Sequence, residues 1–240
     1  YFAGSGDSVP LKGSLQYATG GSFAAEFAPD GKTLIFSTLL GGNTIEPDSI
    51  SALQVGSDGT IYIAGSQSAQ DFPYTVNAYR HPIYAIGYAQ SKQYIFAAAI
   101  NPAHSGYSWS TYLGQGSVSS TAMDSAGNFY VAGSFSIGSV LFKNALAADT
   151  TSGAYILELD PTGALVMGTG FGGKNVSQIP SGMAVDSAGN IFIAGTPSGI
   201  GSNGMLDPIN IGTGTSYTDQ SKLGYGTFVA KIAPANEPQI

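Results

Sequence analysis

The chain of 240 residues carries 8 Lys and Arg against 15 Asp and Glu, a net charge of −7, and no cysteine. It therefore offers no basic footprint for nucleic acid or an anionic membrane surface, and neither a disulfide framework nor a Cys-based metal site. Hydrophobic residues reach 43% while charged residues stop at 10%, against about 25% in ordinary soluble domains, so a packed core is expected and disorder is not.

Short phrases rich in β-branched, aromatic and small residues run the length of the chain, each bounded by Gly, Pro, Asp or Asn. Tyr1-Phe2-Ala3-Gly4 is followed by Phe23–Pro29, a Pro-Asp-Gly turn, and Phe36–Gly41. Ala52–Val55 opens the next group, then Tyr62-Ile63-Ala64-Gly65, Phe96–Pro102 and Trp109–Gly114. The third group is Thr121–Asp124, Tyr130-Val131-Ala132-Gly133, Tyr155–Pro161 and Met167–Gly172. The fourth is Met183–Asp186, Phe192-Ile193-Ala194-Gly195 and Phe228–Pro234. The four Ala-Gly glycines are 61, 68 and 62 residues apart, and a period of that size is the mark of a repeat architecture.

Within a period the phrases predict four antiparallel strands, named a to d. The turns holding Asp58, Asp124 and Asp186 join a to b, because Asp accepts backbone N–H bonds early in a turn and Gly tolerates positive φ near its end. Pro29–Gly31 and Pro161–Gly163 join c to d. Four-stranded units repeated in tandem are the blades of a β-propeller, and radial stacking explains why strands such as Ile191–Ala194 read apolar throughout. The apolar stretch Pro82–Ile100 carries Gln90, Lys92 and Gln93, so no membrane insertion is expected.

The units fall at 1–42, 50–114, 119–173 and 181–234, with three, four, four and three strands: about three and a half blades. The first lacks strand a and leaves an edge bare; the last lacks strand d. With Tyr1 where an initiator Met would stand, the expectation is a piece of a longer protein. The alternatives are a compact four-bladed ring and a propeller completed by another chain.

The phrases Val185–Gly195, Asp71-Phe72-Pro73 and Ser110-Thr111-Tyr112-Leu113-Gly114 resemble the SBBP repeat, and more distantly NHL-type propellers. The resemblance covers essentially the whole chain. It implies an all-β, seven-bladed propeller in a large secreted or surface protein of bacteria. It implies no particular activity, since propellers host binding, scaffolding and catalysis alike.

The long b–c connections, near 5–21, 66–93, 134–153 and 196–226, are the expected contact face. Tyr74, Tyr79, Arg80, Tyr84 and Tyr88 in the second, and Asn203, Asp207, Tyr217 and Asp219 in the fourth, are the candidate ligand-binding residues. Rings beside amides and carboxylates suit an extracellular glycan or protein; packing of loops onto the blades competes with that reading. Asp71-Phe72-Pro73 reads as a structural anchor, and Trp109 as blade core. Glu26, Glu158 and Lys231 share one strand-c position and read as a solvated face. Glu46 and Asp48 are the best local acidic pair for acid–base work. His81 and His104, the two histidines, fall in different connections expected on opposite faces, which argues against a shared zinc or a Ser-His-Asp triad. No metal, cofactor or catalytic residue is expected. The function expected is a non-catalytic extracellular binding or structural module. A polysaccharide hydrolase or lyase and a self-assembling surface-layer or filament subunit are the rivals.

Overall fold

The computed structural model describes residues 1–6, 9–15, 21–41, 49–68, 72–79, 93–140, 143–145, 153–171, 177–198, 215–218 and 227–233. The described residues form antiparallel sheets. The first sheet has the order β1 (Phe2–Ser5), β2 (Ser22–Phe27), β3 (Leu34–Leu40), the predicted strands b, c and d. A seven-stranded sheet follows, built from β4 (Ser49–Val55), β5 (Ile61–Gln67), β6 (Tyr94–Ile100), β7 (Tyr107–Met123), β8 (Phe129–Val140), β9 (Ala154–Leu159) and β10 (Leu165–Phe171) in sequence order. Its middle strand serves twice. Tyr107–Gln115 of β7 pairs with β6 as strand d of the second repeat, and the far end of β7 lies beside β8 as strand a of the third. The last sheet is ordered β11 (Ser177–Val185), β12 (Ile191–Ser198), β14 (Phe228–Ile232), β13 (Thr215–Thr218).

That order corrects one expectation. The fourth repeat was expected to hold strands a, b and c alone. Strand β13, drawn from within the b–c connection, pairs antiparallel with β14 from Thr215↔Lys231 to Thr218↔Phe228 and occupies the place of strand d. Four residues are enough to satisfy one edge of β14, whose N–H and C=O groups would otherwise stay open.

The repeated glycine has a steric cause. Strand a carries a bulge opposite it, between Ile50 and Ala52 in the second repeat and between Pro180 and Gly182 in the fourth. The bulge turns a carbonyl inward. A Cβ at Gly65 would overlap the Ser49 carbonyl oxygen, and one at Gly195 would overlap that of Ile179. The ring of the residue paired across from each glycine covers the vacancy: Phe96 opposite Gly65, Phe228 opposite Gly195, Phe23 opposite Gly4. An aromatic laid over a strand glycine recovers packing that the glycine lacks. The aromatic start of strand c and the Ala-Gly of strand b are therefore one device.

Contacts divide the chain into two compact units. Unit 1 is Tyr1–Val118 with the turn Thr162–Ala164; unit 2 is Ser119–Pro161 with Leu165–Ile240. Each has its own core between two sheets. In unit 1, Ala24, Phe36 and Leu40 cluster with Ile63, Phe96 and Ala98. In unit 2, Tyr130, Ile156 and Met167 cluster with Ile193, Phe228 and Ala230. Trp109 is buried, as expected of blade core.

Candidate functional site

The described parts of the b–c connections share a placement. In the first three repeats each folds back along the outer edge of its own strand d, and in the fourth β13 lies along strand c in the place of d. In the first repeat Lys12 pairs with Ser37 in ladder fashion, the Ser37 hydroxyl donates to the Pro10 carbonyl, and Leu15 N–H donates to Thr38 Oγ1 at 3.0 Å. In the third, Lys143 pairs with Gly168, and Asn144 Nδ2 donates to the Val166 carbonyl at 2.9 Å. Lys12 and Lys143 use their Nζ alike, on the carbonyls of Leu34 and Leu165. These connections act as straps that cover strand edges otherwise open to stray pairing.

The second strap is the most completely described. Phe72 is buried between Phe96, Tyr107 and Tyr112. The Tyr112 hydroxyl accepts from Phe72 N–H at 2.8 Å and from Gln67 Nε2 at 2.6 Å. Thr75 N–H donates to the Ser110 carbonyl at 2.9 Å, while the hydroxyls of Ser110 and Thr111 donate to the carbonyls of Pro73 and Tyr79. Tyr79 N–H closes the strap on the Gly163 carbonyl at 2.8 Å. The anchor reading of Asp71-Phe72-Pro73 holds for Phe72 and Pro73; Asp71 lies outside the described residues.

Two candidate ligand residues sit on this strap and differ in exposure. Tyr74 is 47% exposed. Tyr79 has its hydroxyl buried without a hydrogen-bond partner among the described residues, and burial pushes that phenol up to about 12. Tyr217 belongs to β13, and nothing is described of its side chain. Arg80, Tyr84, Tyr88, Asn203, Asp207 and Asp219 lie outside the described residues, as do Glu46, Asp48 and His81.

The strand-c position read as solvated is instead partnered in three repeats. Glu26 Oε2 meets His104 Nε2 at 3.0 Å, with both side chains about one-sixth exposed, and His104 stacks on Phe36 with ring centroids 4.4 Å apart. His104 is held in the left-handed region at φ 53°, in the c–d turn. The Tyr1 hydroxyl, raised by partial burial and then by the Glu26 charge, bonds the same carboxylate. In the third repeat Tyr130 lies between Asp124 and Glu158. Its hydroxyl donates to Asp124 Oδ2 at 3.3 Å and also bonds Glu158. Burial holds Glu158 above the usual carboxylate range, the Asp124 charge adds to it, and the Tyr130 hydrogen bond opposes it. In the fourth repeat Lys231 Nζ stands 5.9 Å from the centre of the Phe192 ring. Cross-strand pairing decides all three: Tyr130↔Glu158 and Phe192↔Lys231 are direct partners, and Phe2↔Ala25 sets Tyr1 opposite Glu26. Strand alternation alone predicts which side the residue takes; a neighbouring ring across the ladder was the signal available for its burial.

The Asp turns behave as turn-makers. Asp124 Oδ1 accepts from Ala126 and Asn128 N–H, both at 2.9 Å, and Asp186 repeats the pattern with Ala188 and Asn190. Asp58 differs. It stands two places further into its turn and accepts from Thr60 instead, with Gly56 at the place of Asp124. Among the described residues no three His, Cys, Asp or Glu side chains converge as metal ligands would.

Comparison with known proteins places these observations. Residues 170–199 match the family model for SBBP, the β-propeller repeat. No curated protein matches the chain. Among solved structures, a gluconolactonase from Xanthomonas campestris is similar at 16% identity and a TM-score of 0.37, over 92% of this chain and 67% of that one. A likeness of that size carries neither an activity nor a site residue across. The matched segment spans the Val185–Gly195 phrase whose Ala-Gly step returns at Gly4, Gly65 and Gly133, and the chain is an all-β propeller repeat protein, similar over that segment to the SBBP repeat.

Proposed function

We propose that this chain is a non-catalytic binding or structural module working outside the cell, with the aromatic b–c connections in its contact face. The supporting observation is Tyr74. Its ring is exposed while backbone on both sides is tied down, at Phe72 to Tyr112 and at Thr75 to Ser110. An aromatic ring on a fixed support loses little conformational freedom when it binds. Few charges surround it in sequence, which favours a neutral ligand with an apolar face. A glycan of the bacterial cell surface has that character: its sugar C–H faces stack on tyrosine, and its hydroxyls bond nearby amides. Arg80, Tyr84 and Tyr88 follow in the same connection and extend the aromatic series.

The test is retention on insoluble cell-wall polysaccharide. Tyr74→Ala should weaken retention at least about fivefold, the loss expected for an aromatic anchor worth about 1 kcal/mol. Circular dichroism should not change, because the ring is on the surface. Equal retention of wild type and Tyr74→Ala on every polysaccharide tried would remove the proposal.

A further inference from the structure

The c–d turns of the first three repeats each hold one residue in the left-handed region at the same place: Gly31 at φ 66°, His104 at 53° and Gly163 at 82°. Two of the three are glycine, which that region favours. A histidine is costly there, because its Cβ crowds the following carbonyl. Gly31 and His104 close their turns alike, donating N–H to the Ala28 and Asn101 carbonyls, both at 2.9 Å. The turn by itself therefore gives no reason for an imidazole.

The reason lies in what each turn meets. His104 reaches the first sheet, where Glu26 and Phe36 are cross-strand partners on strands c and d. Its ring stacks on Phe36 with planes 15° apart, and its Nε2 meets Glu26 Oε2 at 3.0 Å. At the same register of the second repeat the partners are Ala99 and Trp109, and the turn that meets them carries Gly163. There the indole already fills the space: a Cβ on Gly163 would lie 2.7 Å from two of its ring carbons. Both meetings fall within unit 1, to which Thr162–Ala164 belongs. A phenyl ring with an acid beside it meets a histidine; an indole with an alanine beside it meets a glycine.

We propose that the left-handed residue of the c–d turn is a specificity determinant, matched to the strand-c and strand-d pair of the repeat before it, and that it fixes which turn closes on which sheet. The repeats share turn form and strand register, so the backbone does not tell one neighbour from another, and tandem repeats are prone to misassembly. The side chains make the distinction. Gly163 closing on Phe36 would leave Glu26 without the imidazole and one face of the phenyl ring bare. His104 closing on Trp109 would drive its Cβ into the indole. Its Nε2 would find no carboxylate, since Ala99 stands at the place of Glu26. The discrimination thus has an attractive and a repulsive part, as specific recognition commonly does.

Urea unfolding of the whole chain tests this. Exchanging the two turn residues, His104→Gly with Gly163→His, leaves the composition unchanged and should lower the folded-to-unfolded ratio at least about tenfold. Moving the partners as well should restore it. Ala99→Glu, Trp109→Phe and Gly163→His together carry the first meeting to the second place. Glu26→Ala, Phe36→Trp and His104→Gly together carry the second to the first. Each triple should be at least about tenfold more stable than its three single changes predict when summed. A Gly163→His chain that fails to fold where its triple folds supports the proposal directly. Single changes that simply add up, in either triple, overturn it, because the residues then pack independently and assign no neighbour. So does a triple that fails to fold.

Discussion

At the scale of single residues, the recurrent glycine and the strand-c carboxylate make opposite demands. Gly195 is set by sterics: the Ile179 carbonyl and the Phe228 ring already occupy the space of a Cβ. Gly182, one step past the same bulge, has no atom of the described residues within 4 Å of an added Cβ. Gly195→Ala should therefore lower stability by about 1–3 kcal/mol, as overpacking does, while Gly182→Ala should be close to neutral. Urea unfolding of both variants checks this, and equal effects would show that the bulge does not set the glycine. Glu158 is set by electrostatics. Burial raises it in the folded chain, so its favourable contribution is present below the unfolded value and is lost as pH rises through the folded one. Asp30, Asp58 and Asp186 run the other way. Hydrogen bonds within their turns lower them, so their contribution is present above the unfolded value and lost as pH falls through the folded one. Glu158→Gln should thus gain stability relative to wild type as pH rises from the ordinary glutamate range. Parallel curves of stability against pH would contradict this reading of Glu158.

At the scale of elements, the straps are held by side chains that report to backbone. Tyr112 is the clearest case, because its one hydroxyl satisfies two donors, Phe72 N–H and Gln67 Nε2, inside a buried setting. Tyr112→Phe removes the acceptor and leaves both donors without it. Each buried donor so left costs about 1–3 kcal/mol. The strap should loosen before the sheet does: amide exchange at Phe72 and Thr75 should speed up at least tenfold, while Ile63 and Ala98 in the adjoining core keep their protection. Faster exchange everywhere would mean that Tyr112 serves the core and not the strap. These hairpins and turns could be read from the chain because Asp, Gly and Pro fall at fixed offsets from apolar runs. The straps could not. Their partners are main-chain carbonyls, such as those of Pro73, Tyr79 and Leu165, which bear no residue signature. Strand β13 escaped notice for a related reason: Thr215–Thr218 is a polar run with no apolar alternation, and it became a strand only because β14 had a free edge.

At the scale of the whole molecule, the cadence of Ala-Gly steps made the propeller repeats legible, since the second and fourth periods repeat one steric device. The candidate site was far less legible. Tyr74 and Tyr79 read alike in sequence, yet one ring is exposed and the other hides its hydroxyl, a difference made by contacts with Ser110, Thr111 and Gly163 far along the chain. Repeat proteins bury their cores between neighbouring sheets, so stability should be local to each such core. Ile63 lies in the core of unit 1 and Ile193 in that of unit 2, at the same register in their sheets. Truncating either leaves a cavity and costs about 2–5 kcal/mol. Ile63→Ala should lower amide protection in β2, β5 and β6 and spare β12 and β14; Ile193→Ala should do the reverse. Hydrogen exchange resolved by peptide distinguishes the outcomes. If either substitution lowers protection equally in both sets of strands, the two cores unfold as one cooperative body, and additivity between repeats does not describe this chain.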